Sequence, residues 1–501
     1  MSEKYASSVP ENVNMDSLSF SRLLDPDTEN HPVAWQPQAG QSTPLIHDLR
    51  GFQSDVARAV ATISSASEPG QNNAAMLYLT NSYQFAVGFT ALVYLQKTIF
   101  LPANDSPGAV QQLQAACDNA IVDTSLAERL SGTEQGMPVL DLEQTLNHAR
   151  QDSFSNPQWP VPRHDAQSEV VIYTSGSTGK ARAIHKRLDC FLTEVHALES
   201  LWGNRLADSA VLATVSHQHV YGLLFRLLWP LLSQRPFGAT TVQYPEELQP
   251  QAALHPATVL VSSPAFLSRL PNHQAADAAS GATPLVQVFS SGGPLDPADN
   301  FAVQSLLKCP VTEVFGSTET GGVGYRERAG HNDPLGWIPL PGVEVRQSPA
   351  SRRLVVKSPY LFTDEWYEMG DVAVVDEHRH FHIQGRADRI VKIEEKRISL
   401  DEIEARLQQC ASVRSAKVLP LEGKRRVLGA VLVLSEPGNQ LLAREGKLTL
   451  TRQLRKELAR HLEPVVIPRK WRIVDTLPVN TQGKITHAAL QQLFTNPINP
   501  D

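Results

Sequence analysis

Residues 173–180 read Tyr-Thr-Ser-Gly-Ser-Thr-Gly-Lys. Thr174, Ser175, Ser177 and Thr178 carry hydroxyls, Gly176 and Gly179 open backbone angles closed to other residues, and Lys180 adds a cation. Such a run lets successive N–H groups converge into an anion-binding concavity, which suits a polyphosphate. The apolar Val170-Val171-Ile172 predicts a strand leading in, and the segment beyond predicts a helix leading out. That setting, with the terminal lysine, counts against a merely flexible Ser/Gly turn. Gly176 and Gly179 are only three apart, so the GxxxxGK[ST] spacing fails, and GxGxxG is absent. Both departures weaken the rival class, an ATPase or kinase-type phosphotransferase.

Further runs of chemically able residues follow. Ser290-Ser291-Gly292-Gly293-Pro294-Leu295 and Val314-Phe315-Gly316-Ser317-Thr318-Glu319 each close a predicted strand. Later come Tyr367-Glu368-Met369-Gly370-Asp371, the run Gly385-Arg386-Ala387-Asp388-Arg389-Ile390-Val391-Lys392, and Pro478-Val479-Asn480-Thr481-Gln482-Gly483-Lys484-Ile485. A lone Glu after a strand, or a lone Lys, is ordinarily surface; five such runs beside a phosphate loop weigh differently. His378, His380 and His382 alternate, as do His217 and His219, and so would share a strand face as zinc ligands do. No carboxylate or cysteine completes either set nearby, so exposed histidines are the better reading.

The elements that must hold these loops alternate as in an α/β fold. Met76–Leu79, Tyr83–Gln96 and Thr98–Leu101 read as strand, helix and strand, a parallel βαβ unit. VVIYTS, AVLATVS, TVLVSSP, LVQVFSSGG and VTEVFGSTE read as strands running into small or polar residues, and ligands gather at such strand ends. AIHKRLDCFLTEVHALESLWG reads as an amphipathic helix, residues 1–45 as a polar surface wrap, and 151–168 as a connecting loop. From about residue 389 the texture changes to helix, paired strands, helix and strand, with a core of its own. The 501 residues suggest two or three domains, and 42% hydrophobic with 19% charged residues is ordinary globular composition. A formal net charge of −7 argues against a general nucleic-acid binder. Four scattered cysteines, Cys117, Cys190, Cys309 and Cys410, form no CxxC pair, which points to a reduced cytoplasm. No signal peptide is evident, and the apolar runs Phe85–Leu95 and Leu223–Leu232 are too short to span a membrane, so they read as buried helices.

The loop YTSGSTGK resembles the phosphate loop of the acyl-adenylate-forming (AMP-binding) superfamily: acyl- and aryl-CoA synthetases, luciferases and peptide-synthetase adenylation domains. The five further runs match its motifs in order, so the likeness spans residues 173–484. It implies a large N-terminal domain, 1–387, of mixed sheets sandwiched by helices, joined by a hinge to a small mobile α+β domain, 388–501. It implies that Ser291, Gly292 and Gly293 border the adenine, Phe315 stacks on it beside Gly316, Thr318 touches the α-phosphate, and Glu319 holds Mg²⁺. By the same likeness Asp371 accepts the ribose hydroxyls, Arg386 binds ribose or phosphate, Arg397 is a further nucleotide-site arginine, and Asp388 is the pivot. Lys484 would bridge the carboxylate and the α-phosphate. ATP and Mg²⁺ are then required, and keeping Lys484, Glu319, Asp371 and Arg386 together argues against an inactive nucleotide-binding module.

Two features bear on substrates. His219-x-x-Gly222, with Tyr221 between, resembles the HxxG of acyl and aryl activators, and no aspartate appears that would pair an α-amino group. The likeness therefore implies an aromatic or acyl acid rather than an amino acid, although core packing explains Tyr221 and Phe225 equally well. Glu395 stands where the family has a glycine two residues before Arg397. That position borders the pantetheine tunnel of CoA-using relatives, so the acceptor is left open between CoA and the phosphopantetheine of an acyl carrier protein. The run KIEEKRISL is also similar to ligases of aryl-polyene pathways, which load carrier proteins.

Overall fold

The computed structural model describes residues 18–38, 43–66, 72–131, 137–148, 168–175, 181–271, 285–328, 336–393, 396–421, 427–459, 462, 467–479 and 485–495. It divides into two compact units: residues 1–344 with 357–365, and residues 345–356 with 366–501.

Two sheets organise the first unit. Among the described residues one has nine strands, in the order Ile338–Pro339, Gly321–Glu327, Val311–Ser317, Leu285–Ser290, Thr258–Ser262, Ala210–Ala213, Phe237–Gly238, Pro32–Gln36 and Leu45–Asp48. Its middle is parallel, with Ala213 beside Val261, Ser262 beside Ser290 and Ser290 beside Glu313. Full burial of Thr258–Ser262 on both faces explains the unbroken apolar run TVLV. The second sheet runs Val139–Asp141, Asn119–Val122, Ala74–Tyr78, Thr98–Leu101, Glu169–Ser175 and Ala181–Arg187. Here the expected βαβ unit is found: Ala74–Tyr78 and Thr98–Leu101 pair in parallel, and helix Ser82–Tyr94 crosses between them. Asn81 caps that helix by accepting the N–H groups of Tyr83 and Gln84, at 2.9 and 3.2 Å.

Three expectations are corrected. Ala181–Arg187 is a strand antiparallel to Glu169–Ser175, and the helix starts only at Leu188. The reason is a period of two across Ile184-His185-Lys186-Arg187, which alternate buried and exposed. The N-terminal segment does not merely wrap the surface: Pro32–Gln36 is a sheet strand, and Trp35 is wholly buried. Leu223–Leu232 is buried as expected, but Leu223–Leu228 winds as a π-helix that takes Arg226 inside with it.

The second unit holds strands in the order Glu344–Gln347, Arg353–Lys357, Tyr367–Val375 and Phe381–Arg386, a two-stranded ribbon (Ile390–Ile393 with Lys396–Ser399), and a three-stranded sheet. In that last sheet Val413–Leu421 and Val427–Leu434 are antiparallel and Lys470–Ile473 joins in parallel. Its core sets Ile403 and Leu407 of helix Leu400–Gln408, and Leu450, Leu454 and Leu458 of helix Glu436–Leu458, against Val418, Ala430 and Leu432. Among the described residues no helix is long and apolar enough to cross a membrane.

Candidate active site

In the first unit the candidate residues collect at the C-terminal ends of the parallel strands. Ser291 follows Leu285–Ser290; its hydroxyl donates to the Val314 carbonyl at 2.8 Å, tying the glycine-rich turn to the neighbouring strand. Gly292 next to it has the left-handed φ of +89°. On the strand below, Thr214 and Ser262 share a hydroxyl hydrogen bond of 2.8 Å.

The Phe315–Glu319 run is the tip of a hairpin between Val311–Ser317 and Gly321–Glu327. Glu313 anchors it with a buried carboxylate paired to Arg326 at 2.7 Å and Arg328 at 2.9 Å. Arg326 also lies over Trp337 at 4.1 Å, and Trp337 lies 5.4 Å from Phe315. The ring expected to stack on a base is thus fixed through four side chains. Ser317 and Thr320 exchange hydroxyl hydrogen bonds, which close the turn carrying Thr318 and Glu319. At Gly316 a Cβ would fall 2.2 Å from the Gly321 carbonyl oxygen, so only glycine fits.

The phosphate loop joins the two strands of the Glu169–Arg187 hairpin. Thr174 pairs with Arg182 and Ser175 with Ala181; Gly176, Ser177, Thr178, Gly179 and Lys180 lie outside the described residues. Arg182 of that hairpin reaches Glu319 Oε1 at 3.9 Å. Lys186, further along, donates to the Glu319 carbonyl at 3.2 Å and the Tyr360 carbonyl at 2.8 Å. Two stretches more than a hundred residues apart in sequence therefore meet. Lys186 escaped the sequence reading because a basic residue on an amphipathic helix reads as solvated, and Arg182 because it falls between the loop and that expected helix; the alternation of the strand was the signal that could have found them.

Glu319 suits a hard cation. Its carboxylate is partly exposed and its described ion pair is long, so it can offer oxygens to Mg²⁺ that is otherwise held by phosphate and water. By contrast, among the described residues no group of three or more His, Cys, Asp or Glu is arranged to hold a metal. Asp376 instead organises the His378–His382 turn, accepting the His378 and His380 N–H groups at 3.0 and 2.9 Å.

His219 and Gly222 bound a short helix, Val220–Gly222. Glycine is needed at 222 because a Cβ there would fall 2.1 Å from the Ser216 carbonyl oxygen. Phe225 packs inward against Trp229 and Phe289, at 5.7 and 5.2 Å, so it serves the core; Tyr221 lies 5.0 Å from it. His217 is buried, its Nε2 2.7 Å from the Leu79 carbonyl and its Nδ1 2.9 Å from the Ser82 hydroxyl. Burial, and after it the Arg226 cation, hold its pKa well below the usual 6.5. A folded-state pKa depressed in this way gives stability that is present above 6.5 and lost as pH falls below it. Urea unfolding should show stability falling from about pH 7 to pH 5, by up to about 1.4 kcal/mol per pH unit for this group. His217→Gln should flatten that slope; an unchanged slope would remove His217 as its source.

In the second unit Asp371 and Arg386 are register partners on adjacent strands, with Arg386 Nη1 3.6 Å from Asp371 Oδ2. Asp371 is buried, and Met369 fills the core two residues before it. Asp401, at the start of helix Leu400–Gln408, accepts the Arg386 N–H at 3.0 Å and pairs with Arg389. The sequence reading passed over it, since an acidic first turn is ordinary helix capping. The side chains of Ser175, Asp388 and Arg397, and the whole of Glu395 and Lys484, lie outside the described residues.

Residues 55–352 match the family model described as AMP-binding enzyme, and residues 402–484 match its C-terminal domain. The chain belongs to the AMP-binding enzyme family. It is 26% identical over 435 residues to the anthranilate–CoA ligase of Pseudomonas aeruginosa, covering 78% of this chain and 76% of that one. It is 25% identical over 436 residues to the D-alanine–D-alanyl carrier protein ligase of Staphylococcus haemolyticus, covering 75% and 85%. Among solved structures it resembles ATP-bound MatB from Rhodopseudomonas palustris, with a TM-score of 0.77 at 20% identity, over 96% of this chain and 100% of that one. Relatives in this family thus differ in both acid and acceptor, and membership fixes neither.

Proposed function

We propose that this AMP-binding family member joins a carboxylic acid to ATP as an acyl-adenylate, releasing pyrophosphate, and then passes the acyl group to a phosphopantetheine thiol. The observation that carries this reading is the meeting of the phosphate hairpin with the Glu319 turn through Arg182 and Lys186. It supports one phosphate-handling centre at the strand ends.

In this reading the loop Thr174–Lys180 cradles the β- and γ-phosphates, and Thr318 holds the α-phosphate. Phe315 stacks on the adenine above Ser291, Gly292 and Gly293. Asp371 accepts the ribose hydroxyls, with Arg386 and Arg397 as further nucleotide contacts. Glu319 would hold Mg²⁺, which when bound neutralises phosphate charge and favours pyrophosphate as the leaving group. Lys484 offsets the charge of the carboxylate and the α-phosphate as they approach. Asp388 is the proposed pivot through which the small domain changes posture before thiol attack.

The acid is an aromatic or acyl one rather than an amino acid. His219 and Gly222 support this, with Tyr221 as the remaining aromatic wall now that Phe225 is accounted for by the core. Glu395, acidic where CoA-using relatives have glycine, favours a carrier-protein arm over free CoA, as in ligases of the aryl-polyene type. A reduced, cytoplasmic setting fits four free, buried cysteines; burial pushes Cys117, Cys309 and Cys410 up to about 12, so none of these three is a ready nucleophile.

Incubation with ATP, Mg²⁺ and labelled pyrophosphate across a panel of carboxylic acids tests the first half. Label should enter ATP only when the right acid is present, with aromatic acids ahead of amino acids. Acid-independent release of inorganic phosphate would instead mark an ATPase. A holo carrier protein compared with CoA as acceptor tests the second half, and faster transfer to CoA would overturn the carrier-protein reading.

A further inference from the structure

Two charged side chains lie fully buried behind the turn that carries Glu319, and the reading above gives neither a part in the chemistry. Lys186 belongs to the outgoing strand of the phosphate hairpin and Glu194 to the helix Leu188–Leu206 that follows it. Lys186 Nζ donates to the carbonyls of Glu319 and Tyr360. Glu194 Oε1 accepts the N–H of Gly322 at 2.7 Å, three residues beyond Glu319. Its Oε2 is enclosed without a described hydrogen-bond partner. The packing is close: a Cβ at Gly321 would fall 2.4 Å from Oε2, and one at Gly322 would fall 2.9 Å from Oε1. Gly321 also holds a φ of +68°, a backbone conformation that favours glycine.

The turn is therefore gripped twice, at a carbonyl by an ammonium and at an amide by a carboxylate. Charge-assisted hydrogen bonds in a dry interior are shorter and stiffer than neutral ones. Buried charges are also costly, and a hydroxyl or an amide side chain would satisfy the same backbone groups. What the charged pair adds is a fixed location. Lys186 lies on the strand that returns from the phosphate loop, so its contact ties the main chain of Glu319 to the hairpin that would hold the phosphates.

We infer that Lys186 and Glu194 are positioning residues that clamp the Thr318–Thr320 turn to the phosphate hairpin, so that the metal-binding carboxylate and the phosphate cradle keep one geometry. The inference rests on the proposed role of Glu319 in holding Mg²⁺. Neither residue is given contact with substrate.

The test uses the full-length enzyme with Lys186→Met, Glu194→Gln and the double variant. ATP binding is titrated with and without Mg²⁺, and hydrogen exchange is followed at amides 318–322 in the free enzyme. Lys186→Met should weaken binding in the presence of Mg²⁺ by about tenfold, while metal-free ATP binding changes by less than about twofold. The 318–322 amides should exchange faster, without faster exchange in the strands Thr258–Ser262 and Leu285–Ser290. Glu194→Gln keeps the Gly322 bond and removes only the charge. It should move both readouts in the same direction, and it carries the test where Lys186→Met does not fold. The double variant should lose less than the two single losses combined, since neither charge is then left alone. Variants with wild-type Mg²⁺ dependence and wild-type exchange at the turn would overturn the clamp. Failure of the adenylation reading looks different: the wild-type enzyme would show no acid-dependent pyrophosphate exchange, whatever the variants do.

Discussion

Lys484→Ala should lower acid-dependent pyrophosphate exchange by about 10²–10³-fold while leaving ATP binding nearly intact. Attack of a carboxylate on the α-phosphate brings two anions together, and the negative charge crowded around phosphorus is greatest as the bond forms and before pyrophosphate departs. A positioned ammonium offsets that charge most strongly at the transition state, so its loss should appear in the rate rather than in ground-state affinity. The match to the family's C-terminal domain takes in residue 484. Lys484→Arg should not restore the rate, because a planar fork does not replace a compact ammonium between two oxygens. Circular dichroism and unfolding by urea would show whether the variants fold. Exchange retained at more than about a tenth of the wild-type rate would take Lys484 out of the chemistry.

The first three motifs were legible because each pairs small residues with a strand end, a local signature of sequence. The strands that deliver them were legible for the same reason: TVLVSSP and LVQVFSSGG are apolar runs stopped by serine. What failed depended on partners distant in sequence. Ala181–Arg187 looked helical because it runs without a break into a true helix, and its pairing with Glu169–Ser175 decides otherwise. Pro32–Gln36 is a strand because Phe237–Gly238 and Leu45–Asp48 lie on either side of it, which no local pattern announces. Lys186 and Glu194 were passed over for a common physical reason. Charged residues are assigned to solvent unless a partner is known, and the partners here are main-chain groups contributed from elsewhere: Glu319, Tyr360 and Gly322. Burial pushes Glu194 up to about 7 against the opposing pull of Lys186, a cost that no sequence pattern signals.

Gly316→Ala should be among the most damaging small substitutions in the site. The added methyl would meet the Gly321 carbonyl oxygen at 2.2 Å and Gly322 Cα at 3.0 Å, both main-chain atoms of the facing strand. A side chain could swing aside; a paired strand cannot without giving up its register. The hairpin is also held at its base by Glu313 with Arg326 and Arg328, so the strain has to be absorbed at the tip, where Thr318 and Glu319 sit. Overpacking of this kind costs about 1–3 kcal/mol, which urea unfolding resolves. The effect on activity should be larger than that figure conveys. A shift of about 1 Å at the turn would move the Thr318 hydroxyl and the Glu319 carboxylate away from the phosphates, and a misplacement of that size can cost about 10²-fold in rate. Gly293→Ala is the control for folding stability rather than activity: the nearest atom its methyl meets is Pro264 Cγ at 4.0 Å, ordinary contact, so its unfolding free energy should stay near that of the wild type. Equal losses of stability in the two variants would show that any substitution in these glycine turns is harmful and that the approach at Gly316 is not special. A stable, fully active Gly316→Ala protein would show that the hairpin tip can relax, and a rigid tip would then no longer explain how Glu319 is held.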